Sequence, residues 1–313
     1  MNAIHLPGLA GEIAQHLNEQ APVATPRMAM GGAIALLGTI VGAGWELPHI
    51  SLYPESALLR VLPHLEPEDF PTTQPIGQSV MLVADLAHGK GGIIEGVEAL
   101  LGGLQRLRPD TSAIAQRLLT IQHFSHLALA GMEPEPEDVD RVRGIVKPAT
   151  FDRLLDGSLF LLAESTPDDF DYLLPHWYES SPFYGQCLMI RHHGPRGEKN
   201  RQPHGQPSAA LLGRLAELAD LAQAGQKVLV EVTEDAAAWY RLFLRLDMDT
   251  YSEHGPVGME GEWARQSLQV AAIVAVGLDP LRPVITAEVF RLASDLASEG
   301  VRLARAGLGV VGV

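Results

Sequence analysis

The chain has 313 residues, 46% of them hydrophobic and 19% charged, enough to bury a substantial core in one large domain or two modest ones. This balance excludes a disordered tail and a small disulfide-stapled module, and a formal net charge of −15 excludes an outer surface that coats nucleic acid by charge alone. The single cysteine, Cys187, cannot form an internal disulfide, and the first residues carry no basic region leading into an apolar stretch, so a cytoplasmic protein is the expectation.

Apolar positions Leu9, Ile13, Ala14 and Leu17 predict a first helix over residues 9–20. Pro22 and Pro26 separate it from a second helix, near 27–42, inside the uncharged run MAMGGAIALLGTIVGAG (28–44). That run is shorter than the ~20 predominantly apolar residues a spanning helix needs, and no second candidate follows it. It therefore reads as a buried core helix whose small residues let a sheet or helix approach closely, with no membrane partner. Residues 45–53 read as irregular, 54–65 as a short helix interrupted by Pro63, and the proline-rich 67–75 as a connection closing an all-helical region.

The period then changes. SVMLVA (79–84) is a short apolar run ending in the turn DLAHGKGG, which predicts a buried strand and a loop, and IIEGVEALLGGLQRL (93–107) returns to helical spacing. A further helix is expected over 111–129, and MEPEPEDVD (132–140) reads as an exposed excursion. SLFLLA (158–163), CLMI (187–190) and VLVEV (228–232) resemble further central strands. Residues 191–207 read as an exposed, mobile loop, and long helices are expected over 233–246, 260–276 and 286–306, with Thr233 and Thr286 as N-caps.

The segment ADLAHGKG (84–91) fits a phosphate-binding loop with Ala84 in place of the first glycine. Such a loop needs a Gly-Lys pair because backbone N–H groups wrap the phosphates while the lysine supplies a point charge; Gly89 and Lys90 fill those places, beside His88. Gly91 stands where a Ser or Thr hydroxyl normally holds Mg²⁺. A glycine loop joining strand to helix in any α/β protein would look similar, with Asp85 and His88 merely solvated.

The partner of such a loop is a second strand ending in an acid, and SLFLLAE supplies Glu164 for metal or water. In the Ser165-Thr166-Pro167 that follows, Thr166 fits a polar sensor of the terminal phosphate and equally a helix N-cap, with Asp168 and Asp169 complementing the helix dipole. His88, His123, His126, His192 and His193 invite a metal reading, but no cysteine or acidic partner stands at zinc spacing, so no metal-ligand cluster is expected. The one concentrated basic stretch, Arg191, Arg196, Lys199 and Arg201, is a candidate nucleic-acid contact or a solvated loop; no aromatic residues for base stacking are interleaved with it.

Several stretches together, LPGLAGEIAQHL, LGTIVG, STPDDF, GQCLMIRHHGPR, VTEDAAAWYRLF, ARQSLQVAAIVAV and PVITAEVFRLAS, resemble a family of phage- and plasmid-associated bacterial P-loop proteins of helicase-like type, often fused to primase or primase–polymerase modules. The resemblance covers most of the chain. It implies an α/β fold with a RecA- or AAA+-like core over 76–225, flanked by helical regions 1–75 and 226–313. It further implies ATP and Mg²⁺ as cofactors, a homo-oligomer or a replication-protein partner, and work on DNA. The chain is shorter than typical members, and an arginine implied by the family is replaced around Gln186. A second alignment makes SVMLVAD the acidic-ended strand, with Asp85 as remnant and the phosphate loop deleted near Ser51-Leu52-Tyr53. Either alignment lacks a catalytic part, so the expectation divides between a nucleotide-gated motor and a fold kept for assembly or partner binding.

Overall fold

A computed structural model describes residues 5–48, 50, 73–122, 152–154, 157–168, 187–192, 194–201, 203, 205–250 and 259–307. Expectations at 54–65, 132–140, Gln186, His123, His126 and His193 lie outside these residues. The chain is mixed α/β, built on a four-stranded parallel sheet with strand order β4-β5-β3-β6. These strands are β3 (Ser79–Val83), β4 (Leu118–Ile121), β5 (Phe160–Ser165) and β6 (Cys187–Arg191). Strand β3 is buried along its whole length, as its unbroken apolar run requires of a central parallel strand.

Helix α1 (Gly8–Gln20) and helix α2 (Pro26–Gly44) follow the predicted pattern closely. Helix α2 is apolar all round because it is surrounded: the sheet, α1, α3 (Lys90–Leu107), α5 (Ala209–Gln223) and α7 (Met259–Leu278) all pack on it. A Cβ added at Gly31 would sit within 3.2 Å of side chains of Val80, Leu82 and Ile190, so the small residue sets how closely the helix rides on β3 and β6. Among the described residues α2 alone is long and apolar enough to cross a bilayer, and 89% of that stretch is buried inside the fold. One apolar cluster runs through all of it, from Leu9 and Ile13 through Leu36 and Val80 to Ile273 of α7 and to Phe290 of helix α8 (Ala287–Gly307).

The region before residue 76 is not all helical. Trp45–Pro48 forms β1, antiparallel to β2 (Thr73–Pro75) and parallel to β7 (Val228–Leu229). The pairing of β1 with β7 joins segments far apart in sequence, and a local pattern carries no trace of it.

The run VLVEV is not a central strand either. It breaks at the buried Val230 into β7 and β8 (Glu231–Val232), the latter pairing with β9 (Val284–Ile285) in a separate two-stranded sheet. Of the helix expected over 111–129, residues 123–129 lie outside the described residues, and the part up to 121 is instead a 3₁₀ turn (Pro109–Thr111), a one-turn helix α4 (Ser112–Ala115) and β4. Its end is set by tertiary pairing: the Arg117 carbonyl accepts from the Phe160 N–H at 2.7 Å, and Leu118–Ile121 then run in register with Phe160–Ala163.

Helix α5 is absent from the sequence reading, although Ser208 caps it through its hydroxyl and Leu211, Leu215 and Leu218 bury one face. Gly213 lies on this helix with nothing within 4 Å of an added Cβ. Gly213→Ala is therefore expected to stabilise the protein by ~1 kcal/mol, read as a raised unfolding midpoint in urea. Helix α6 (Glu234–Thr250) and α8 start where expected, with the Thr233 and Thr286 hydroxyls accepting from the N–H groups of Ala236 and Val289 at 3.4 and 3.3 Å.

Candidate functional site

The carboxyl ends of β5, β3 and β6 lie level with one another. Val83 is in register with Ser165 on one side and Arg191 on the other, the Ala84 N–H donates to Ser165, and the His192 N–H donates to Val83. From β3 the chain goes to β4, two places away on one side, whereas β6 lies on the other. The strand order thus reverses at β3, the position where open α/β sheets hold ligands outside their carboxyl ends.

Residues 84–89 leave β3 at this point and re-enter the fold as α3. The loop turns through two left-handed residues, Ala87 at φ +65° and Gly89 at φ +84°. Gly89 is required twice over, because its φ favours glycine and an added Cβ would stand 2.8 Å from the Val23 carbonyl oxygen. As the N-cap of α3 it directs the first N–H groups of an 18-residue helix toward the loop. Lys90 is buried at the first helical position, and its ammonium donates to the carbonyl of Ser165 at 2.9 Å and to that of Ala84. This one side chain ties the ends of β3 and β5 together.

Glu164 is buried on β5, in register with Leu82, and both its carboxylate oxygens lie 3.9 Å from where a Gly91 Cβ would be. Two elements separated by the whole of α3 and β4 thus place the expected acid beside the expected metal-binding position. Gly91 brings no hydroxyl there, so the residues present do not supply the Mg²⁺ shell that a phosphate loop ordinarily builds. Asp85 is exposed at the outer side of the loop, next to an exposed Leu86, and stands apart from this pair in burial. Thr166 is half-buried between the end of β5 and a helical turn at 167–168. Among the described residues no group of three or more His, Cys, Asp or Glu is placed to hold a metal ion.

The structure gives His192, one of the histidines without a metal-ligand partner in the sequence, a neighbour of its own. His192, on leaving β6, lies against the buried His88, their ring centroids 5.3 Å apart. The rings are oriented by carbonyls: His88 Nδ1 lies 3.2 Å from the Leu86 oxygen and His192 Nε2 lies 3.1 Å from that of Pro195. Only the β3–β6 register brings these imidazoles together, and no local spacing announces it.

The basic stretch is tethered rather than loose. Lys199 bridges to Val23, the Ala24 N–H donates to Glu198, the Asn200 N–H donates to Pro22, and the Asn200 side chain donates to the Asn18 carbonyl at 2.7 Å. Arg196, Lys199 and Arg201 are exposed while Arg191 is half-buried at the end of β6. The α1–α2 connector touches both Gly89 and this stretch, so residues 84–89 and the basic loop share one support.

Cys187 lies at the opposite, amino end of β6, fully buried, and burial pushes its thiol pKa far above the usual thiol range. The expected result is no reaction with a thiol reagent at pH 8 in the folded protein and rapid reaction in denaturant, read by absorbance or intact mass. No family model matches the chain, and no curated protein matches it in sequence.

Proposed function

We propose that residues 84–91 bind the phosphates of a nucleoside triphosphate, with Lys90 and the first N–H groups of α3 as the anion site and Glu164 beside it. The observation that carries this reading is the placement of a buried lysine, a left-handed glycine cap and a buried acid at the carboxyl ends of adjacent parallel strands. The same placement favours the alignment in which Lys90 belongs to the phosphate loop over the one in which Asp85 is an acidic remnant. ATP is the ligand implied by the resemblance to helicase-like P-loop proteins, and DNA replication of a mobile element is the setting implied with it. On this reading the protein works in the cytoplasm as a homo-oligomer or on a replication partner, with a RecA- or AAA+-like core.

The test is a titration of labelled ATP into purified protein, with phosphate release followed in the same samples. Saturable binding supports the site, and turnover then separates a motor from a nucleotide-bound scaffold. The absence of a hydroxyl at Gly91 favours the scaffold, for which binding without release is the expected result. The Arg196, Lys199 and Arg201 side chains are the proposed DNA contact. Their joint replacement by alanine is expected to weaken single-stranded DNA binding and flatten its salt dependence by about two to three phosphate contacts. Equal affinity and slope in the triple variant would remove the basic loop from the proposal.

A further inference from the structure

We infer that this phosphate site takes its nucleotide without help from a divalent cation, and that Gly91 is the position responsible. The inference rests on the nucleotide reading above and goes beyond it in naming the form of ligand the site accepts. In phosphate loops of this spacing, the residue after the lysine carries the hydroxyl that ligates Mg²⁺ against the terminal phosphates. Here that residue is a glycine in the first turn of α3 with an ordinary helical backbone, and an added Cβ would meet nothing but the two Glu164 oxygens at 3.9 Å. Room and direction for the ligand exist, and the ligand itself is missing.

Mg²⁺ demands near-ideal octahedral geometry and sheds water reluctantly, so losing a protein ligand removes much of what the cation adds to affinity. The groups left for the phosphates are the Lys90 ammonium and the N–H groups of the first helical turn, neither of which needs a metal. The site accordingly binds the metal-free nucleotide about as well as the Mg²⁺ complex. It also offers a clean reversal, because a serine at position 91 would set its hydroxyl beside Glu164 without meeting backbone.

The experiment measures Kd for fluorescent ATP in EDTA and in excess Mg²⁺, using the wild-type chain, Gly91→Ser and Gly91→Ala, each checked for fold by circular dichroism. For the wild type and Gly91→Ala, the two buffers are expected to give Kd values within about twofold of each other. Gly91→Ser is expected to match them in EDTA and to bind at least tenfold more tightly in Mg²⁺. Wild-type affinity that rises tenfold with Mg²⁺ overturns the inference while leaving the nucleotide site standing. A well-folded Gly91→Ser with no greater Mg²⁺ response than the wild type also overturns it. No ATP binding by folded wild type in either buffer brings down the nucleotide reading itself, and this inference with it. If Gly91→Ser does not fold, the wild-type comparison of the two buffers decides alone.

Discussion

Lys90→Ala is expected to weaken ATP binding by ~10- to 100-fold, the equivalent of the ~1.5–3 kcal/mol carried by hydrogen bonds to a charged group. The reason is local: no other lysine or arginine lies within residues 84–91, and the ammonium of Lys90 already stands at the carboxyl ends of β3 and β5. The same substitution has a structural cost. The Ser165 and Ala84 carbonyls lose a charged donor that bridges the two strands, so the unfolding midpoint falls as well. Lys90→Met keeps most of the buried stem while removing the ammonium and its hydrogen bonds, so the difference between the two variants reads the loss of packing alone. Equilibrium titration well below the unfolding midpoint of each variant reads affinity in folded protein alone. Unchanged affinity in both variants would mean that Lys90 serves only as a strand tie.

The parts of the fold that were legible in the sequence are those whose pattern is local. Helix α2 announces itself by an uncharged run, β3 by five apolar residues before a turn, and α3 by its helical period. The misreadings share the opposite property. Leu118–Ile121, apolar but for Thr120, is too short to distinguish helix from strand, and only its ladder to β5 decides the matter. The VLVEV run serves two small sheets because Val230 donates to Glu46 while Glu231 donates to Pro283, contacts that no window of sequence contains. The candidate site divides in the same way. The loop with Gly89 and Lys90 is visible as spacing, whereas the facing of Glu164 and Gly91 and the meeting of His88 with His192 depend on register between strands far apart in the chain.

Gly42→Ala is expected to be the most damaging single-methyl addition in α2, costing ~3 kcal/mol of stability at the upper end of what overpacking a core usually takes. An alanine Cβ at this position would lie 2.3 Å from the Ile76 carbonyl oxygen, a backbone atom that cannot rotate aside. The strap carrying Ile76 has no freedom to retreat. The Gln269 side chain of α7 holds it from both sides, accepting from the Gly77 N–H at 3.0 Å and donating to the Pro75 carbonyl at 3.1 Å. On the next residue the Phe160 ring sits so close that a Gly77 Cβ would overlap it at 1.9 Å. Helix α2 must therefore move instead, and another of its glycine contacts, Gly31 against β3 and β6, would be pried apart with it. Because Ser79 begins β3 just beyond this strap, the disturbance reaches the strand that leads into residues 84–91. Urea unfolding followed by circular dichroism is the measurement, with Gly213→Ala as the control that shifts the midpoint in the opposite direction. A Gly42→Ala protein as stable as the wild type would mean that the strap and α2 do not pack at this distance, and that β3 is positioned by the sheet ladder alone.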